Sequence, residues 1–310
     1  VVDELLDLGT APVVVLLDVI GPAQRRVGER WQRGEWTVAQ EHAATAIAHA
    51  AATVTARRIE QPPVSLGHVV VACAEREWHA LPALMVAETI RFFGWQVTYL
   101  GAATPAGRLA QYLDDLGPDA VALSCSVISA LPSSRRVIEA ARQSGVPVLA
   151  GGSAFGPDAL RALVLGATAW AGNAQDAVTA LADLSPVVDP ADPLPADVAT
   201  EQAELDLRHS ELVRATLTRW AAADTTGAVA GDLAAVAEDA VHQALHSLGA
   251  ALLTGDTRIL REAADWVPAV VTGRGGTRAL ADGLPVALSA ELVRFPLAAP
   301  LLRDNWTATA

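Results

Sequence analysis

The sequence predicts an α/β plus all-α fold: a helical N-terminal part, a doubly wound parallel sheet, and a helical C-terminal part. Three observations carry this. Between residues 66 and 184, short apolar runs alternate with stretches of helical spacing, the pattern of right-handed βαβ units. Residues 1–62 and 200–310 place apolar residues at helical spacing and show no convincing strand. The Pro- and Asp-rich stretch 185–199 reads as a semi-rigid linker ahead of the last part.

Within residues 1–62, Leu5, Leu6, Val13, Val14, Leu17 and Ile20 recur at helical spacing, and Gly21-Pro22 reads as punctuation. A helix then runs to Trp31 and ends at Gly34. Thr37 followed by Gln40 has the spacing of a capping box. An Ala-rich helix follows from Val38 to Ile59 and stops at Gln61-Pro62-Pro63. In residues 66–184 the expected strands are His68–Cys73, Gln96–Leu100, Ala120–Cys125, Pro147–Leu149 and Ala169–Trp170. The expected helices are Ala83–Phe93, Gly107–Leu116, Ser133–Ser144, Asp158–Leu165 and Asp176–Leu184. Beyond the linker, Leu207, Leu212, Leu217 and Trp220 share one helix. Val236, Ala240, Ala244, Leu248 and Leu252 share a longer one, with breaks at Gly255-Asp256 and at Gly273-Arg274-Gly275-Gly276. Five or six helices are expected there.

Composition narrows the function. The chain has 310 residues, 52% hydrophobic and 18% charged, which excludes wholesale disorder. Its net charge of -13 is a poor match to a nucleic acid or an anionic membrane, so neither is expected as a direct partner. All 22 basic residues are arginine. Without lysine there is no Walker A lysine and no pyridoxal phosphate or retinal Schiff base. Cys73 and Cys125 form no disulfide framework and no CxxC zinc site, and two free thiols fit a reducing cytoplasm. The apolar run Ala11–Ile20 is too short to span a membrane and carries Asp18. The chain begins at Val1 rather than Met, which leaves room for residues upstream. No catalytic triad, HExxH or nucleotide loop is visible, so the protein is read as a non-enzyme.

The residues that carry chemistry follow strand ends. Glu77-Trp78-His79 comes after the first strand, Ser124-Cys125-Ser126 after the third, and Gly151-Gly152 after the fourth. In a doubly wound sheet all three face one crevice. His79 offers an imidazole nitrogen to a metal, and Glu77 is spaced to take its other ring N–H. Ser124 and Ser126 offer hydrogen bonds to a polar group. Gly151 and Gly152 allow close backbone approach, as a nucleotide-like tail requires.

Glu77-x-His79-x-x-Pro82, residues 83–123, Ser124-x-Ser126 and Gly151-Gly152 resemble the cobalamin-binding Rossmann-like domain and its DxHxxG, SxL and GG signatures. Glu stands here for the family Asp, and Pro82 for the motif Gly. The resemblance implies base-off, His-on cobalamin, with His79 as lower axial ligand of cobalt. The nucleotide tail would lie along Ser124, Ser126, Gly151 and Gly152. Trp31, nine residues and then Glu41-His42 resemble the photoreceptor domain of CarH-type repressors, over residues 1 to about 185. That resemblance implies adenosylcobalamin capped by Trp31, Glu41 and His42, with light breaking the Co–C bond. His42 would be a candidate second axial ligand after photolysis. Such photoreceptors often assemble, so a homo-oligomer fits the resemblance.

The C-terminal part, 200–310, resembles the globin-like domain of photocobilins, which join a cobalamin photoreceptor to a bilin-binding unit. Ala250–Asp256 and Asp265-Trp266 are its most family-like stretches. The resemblance implies a bilin such as biliverdin. His242 and His246 share a helix face as candidate contacts, with His209, Arg208, Arg214, Arg219, Arg261, Trp220 and Trp266 as further donors, cations and walls. An i, i+4 His pair also suits a metal. No cysteine lies in this part, so a bilin there would be non-covalent. The expected function is a cytoplasmic light-sensing protein that passes a conformational signal to an unnamed downstream partner. A cobalamin-only regulator with a helical partner-binding module and a corrinoid methyl-transfer carrier are the alternatives.

Overall fold

A computed structural model describes residues 1–60 and 62–307. Gln61, placed above at the end of the Ala-rich helix, and residues 308–310 lie outside the described residues. The chain forms two compact units: Val1–Gly28 with Val38–Asp192, and Glu29–Thr37 with Pro193–Ala310.

In the N-terminal stretch, α1 (Val2–Asp7) and α2 (Pro12–Val14) lead through a π-helical stretch, Val15–Ile20, directly into α3 (Gly21–Gln32); α4 is Val38–Arg57. The break expected at Gly21-Pro22 is instead a change of helical geometry. Pro22 lies inside one helical run from Pro12 to Gln32, and the wider π-helical turn just before it is where such a run accommodates the ring and the missing N–H. These helices build no core of their own. Leu6, Val15, Leu16, Ile20 and Ala52 bury against Leu81, Leu84 and Met85 of a helix in the sheet region.

That region contains β1 (His68–Cys73), α5 (Ala80–Phe92), β2 (Gln96–Gly101), α6 (Ala106–Leu116), β3 (Ala120–Ser124), α7 (Leu131–Gln143), β4 (Val148–Gly151), α8 (Leu160–Val164), β5 (Ala169–Ala171) and α9 (Ala174–Ala182). The five strands are parallel in the order β2-β1-β3-β4-β5. Val69 pairs with Val97 on one side and Ala120 on the other. The order reverses between β1 and β3, the switch point where open α/β sheets bind ligands. β1 and β3 read as unbroken apolar runs because both faces are covered. On one face Val69, Val71, Ala120, Ala122 and Leu149 pack under α5 and α9 through Ala83, Ala87, Ile90, Ala177 and Leu181.

The second unit is all-helical: α10 (Ala196–Leu207), α11 (His209–Ala223), α12 (Ala234–Thr254), α13 (Arg258–Gly273), α14 (Arg278–Glu291) and α15 (Ala298–Asn305). The core helix is α12, which packs against α10, α11, α13 and α15. It ends at Gly255, whose φ of +68° gives the left-handed cap that suits glycine. The buried Glu201 carboxylate accepts from the Leu297 and Ala298 N–H groups at the start of α15 (3.0 and 2.6 Å). A negative charge at a helix N-terminus is favourable there.

The linker reading of 185–199 needs correction at its end and in its middle. Residues 196–199 are the first turn of α10, following Pro195. Residues 189–192 are tied to α7: Arg142 Nε donates to the Asp189 carbonyl at 2.7 Å, and the Arg135 guanidinium donates to the Asp192 carbonyl. No helix among the described residues is long and apolar enough to cross a membrane.

Candidate functional site

Glu77 organises the strand-end loops. It is fully buried in the loop after β1. Its Oε1 accepts from the His79 backbone N–H at 2.7 Å and lies 2.7 Å from His79 Nδ1. Its Oε2 accepts from the N–H groups of Ser126 (2.5 Å) and Val127 (3.0 Å) after β3. Its carbonyl accepts from Ala103 N–H (2.9 Å) after β2. One residue thus pins three loops across the switch point. Arg76, at φ +71°, makes the turn that swings this carboxylate inward.

Burial pushes the Glu77 carboxyl up, but the His79 hydrogen bonds and the Ser126 N–H together hold it below the usual carboxylate value. The hydrogen bond to Glu77 raises His79 against its partial desolvation, with help from the charges of Glu77 and Glu41. With Nδ1 on Glu77, Nε2 is the nitrogen left to ligate a metal, and the side chain is 60% exposed.

Two cavities lie at the strand ends and share Pro82 and Ser126 in their linings. One, about 360 Å³, is lined by Gln24, Glu41, His42, Thr45, Trp78 and His79, among others. Gln24 Nε2 donates to Thr45 Oγ1 (2.6 Å), which donates to Glu41 Oε1 (2.7 Å), while Glu41 Oε2 lies 2.8 Å from His42 Nδ1. The other, about 310 Å³, opens at the ends of β3, β4 and β5 between Ser124, Ser126, Gly151, Gly152 and Asn173. The glycines are demanded by space. A Cβ on Gly152, at φ +104°, would lie 2.3 Å from the Cys125 carbonyl oxygen, and one on Gly151 would lie 2.9 Å from that of Ala171.

Glu41, His42, Glu77, His79, Ser124, Ser126, Gly151 and Gly152 therefore line or frame connected parts of one unit. Ser126 reaches Glu77 through its backbone N–H. Trp31 is grouped with the other unit: its ring lies 6.3 Å from that of Trp266, and the Arg274 guanidinium sits 5.0 Å from its centroid and donates to its carbonyl (2.9 Å). Sequence reasoning passed over Gln24, Thr45 and the role of Trp78. An exposed tryptophan beside the motif histidine was a usable signal, whereas Gln24 had none.

Residues 67–182 match the B12 binding domain. A second family model of the same description matches residues 1–54. The residues present fit cobalamin. A loop imidazole is oriented by a buried carboxylate, and glycines floor the cavity at the strand ends. Gln24 Oε1 is buried without a hydrogen-bond partner, an acceptor suited to the amide-rich rim of a corrin. The chain is 33% identical to the HTH-type transcriptional repressor CarH of Myxococcus xanthus over 157 residues, 50% of this chain and 52% of that one. It thus spans about half the length of that repressor. It is 25% identical to the trimethylamine corrinoid protein of Methanosarcina barkeri over 185 residues, 57% of this chain and 84% of that protein. The solved monomethylamine corrinoid protein of Methanosarcina barkeri shares the fold (TM-score 0.51, 17% identity, 59% of this chain and 88% of that one).

In the helical unit His242 and His246 are joined by His209, whose Nε2 lies 2.7 Å from His242 Nδ1. Trp220, expected as a flat wall, is a core residue, 2% exposed, with its indole N–H on the Leu280 carbonyl. Arg208 pairs with Glu204 and Glu211, and Arg219 with Glu291. Burial raises both thiols, Cys73 and Cys125, to about 12, so neither is a ready nucleophile.

Proposed function

We propose that this protein is a cobalamin-dependent, light-responsive regulator without catalytic turnover of its own. The observation that carries the reading is the Glu77–His79 pair beside a cavity lined by Glu41 and His42. His79 would hold the cobalt through Nε2, since its Nδ1 is engaged by Glu77. Glu77 keeps the imidazole in one tautomer and one orientation, as outer-shell carboxylates do. Ser124, Ser126, Gly151 and Gly152 would admit the nucleotide tail into the cavity at the strand ends. Bound as adenosylcobalamin, the cofactor would supply a light-sensitive cobalt–carbon bond. Glu41, steadied by Thr45, would hold the adenosyl group with His42, which would also be a candidate ligand to cobalt in the absence of that group. The N-terminal helices share their core with α5, so a change above His79 has a packed element to bias. The output would pass to a partner protein or to a second copy of this chain in the cytoplasm.

A bilin such as biliverdin, held non-covalently by the C-terminal helices near His242 and His246, would extend the response to red light. The likeness to the trimethylamine corrinoid protein supports a second reading, a carrier in methyl transfer. Dark reconstitution with adenosylcobalamin, followed by absorption spectra before and after green light, separates them. A base-off, His-on spectrum that His79→Ala abolishes and that light converts irreversibly supports the regulator. A light-inert complex that exchanges methyl groups with a partner supports the carrier. A bilin band retained after desalting supports the extension.

A further inference from the structure

The histidines of the C-terminal unit form a second, independent cluster. His242 and His246 lie on one face of α12, and His209 opens α11. His209 packs against both: its ring centroid is 4.4 Å from that of His246 and 4.9 Å from that of His242, all roughly stacked. One nitrogen from each of the three comes within 4.8 Å of the other two. Three of the chain's 7 histidines are gathered at one half-buried spot.

Neutral imidazoles are the ligand of choice for late first-row divalent metals. Tetrahedral zinc with Zn–N of about 2.0–2.1 Å sets its donor atoms about 3.3 Å apart. The His209–His242 pair, at 2.7 Å, has to open slightly and the widest pair to close by rotamer adjustment. A carboxylate also stands within reach to give outer support after a small side-chain movement. Glu238, one turn before His242, places a carboxylate oxygen 3.9 Å from His242 Nε2, the nitrogen facing away from His209. A carboxylate behind a ligating histidine is the usual supporting arrangement.

We propose that His209, His242 and His246 form a three-histidine site for a divalent transition metal of the zinc class, with Glu238 orienting His242. The fourth coordination position is left to water or an exogenous ligand, as in open three-histidine sites.

The test uses the full chain, stripped of metal and without cobalamin, titrated with Zn²⁺ alone and separately with Co²⁺ as a spectroscopic reporter. The expected result is one Zn²⁺ per chain and an intense tetrahedral Co²⁺ visible band. His209→Gln and His246→Gln should each weaken binding at least 100-fold, and Glu238→Gln by about 10- to 100-fold. His68→Gln, on a strand of the other unit, should leave binding unchanged. Far-UV circular dichroism of each variant establishes that it is folded; if His246→Gln is not, His209→Gln and Glu238→Gln carry the test. Zinc binding that survives all three variants overturns the proposal, as does a stoichiometry of zero. So does biliverdin binding that needs the same histidines while Zn²⁺ does not bind. Because cobalamin is absent throughout, failure here leaves the reading of His79 untouched.

Discussion

In the sheet unit, His79 is held by the fully buried Glu77, whose carboxylate and main-chain carbonyl together gather three loops. In the helical unit, His209, His242 and His246 are held by one another. The first arrangement stores its geometry in backbone hydrogen bonds, so the imidazole is oriented before any ligand arrives. The second stores it in the packing of α11 against α12. A preoriented single ligand suits a large cofactor that brings its own equatorial donors. Several convergent ligands suit a bare ion, which must collect its whole coordination shell from the protein.

The largest expected effect breaks the first arrangement. Glu77→Gln keeps the shape but turns an amide N–H₂ toward donors that need an acceptor. Leaving such groups unpaired in a buried site costs about 3 kcal/mol or more. Urea denaturation should show that loss, and the His-on cobalamin spectrum should vanish with it. A spectrum indistinguishable from the parent would show that His79 does not depend on Glu77.

Next comes Gly152→Ala. The added Cβ meets the Cys125 carbonyl oxygen at 2.3 Å, in a left-handed backbone conformation. A cost of about 1–3 kcal/mol is expected from the strain alone, plus weaker cobalamin retention measured by desalting. In the helical unit the matched change is mild. Gly249→Ala in α12 meets nothing within 4 Å, so helix propensity should stabilise it by about 0.5–1 kcal/mol.

The pH response sharpens the comparison further. Glu77 sits below its ordinary value of 4.5 in the folded chain, so its stabilising contribution is complete above about pH 4.5 and is lost as pH falls through the depressed value. His79 sits above its ordinary 6.5, so its contribution is complete below about pH 6.5 and fades as pH rises through the raised value. The cofactor-free pair therefore stabilises most between these two limits. Denaturation midpoints across pH 3.5–9 should show the alkaline decline, and His79→Gln should remove it. Cobalt ligation runs the other way, since it needs a neutral Nε2 and weakens on the acid side.

Much of this was readable from local signals. The five strands announce themselves as short apolar runs, because a parallel sheet covered on both faces wants continuous Val, Ala and Leu. The positions of Glu77, His79, Ser126 and Gly152 after strand ends follow from that order. Other features needed the third dimension. Glu77 finds Ser126 and Val127 across 49 and 50 residues, and nothing near it in sequence names them. Gly21-Pro22 looks like a stop, yet a π-helical turn just ahead lets the helical run continue through the proline. The 185–199 stretch looks like free spacer, yet Arg135 and Arg142 fasten its middle to α7. Helical spacing aligned His242 with His246, but only the packing of α11 on α12 delivered His209.

By itself, the sequence determined what short-range rules govern: the alternation that makes the sheet parallel, the helical stripes on either side, and the residue types offered at the strand ends. Only the tertiary structure decided which of those residues face one another. It made Glu77 a shared acceptor for three loops, joined Trp31 to Trp266 and Arg274, and stacked three imidazoles from two helices. The physical reason is range. Periodicity and capping act over a few residues, whereas a buried carboxylate or a ring takes its partners from wherever packing brings a donor or a face within about 3–5 Å.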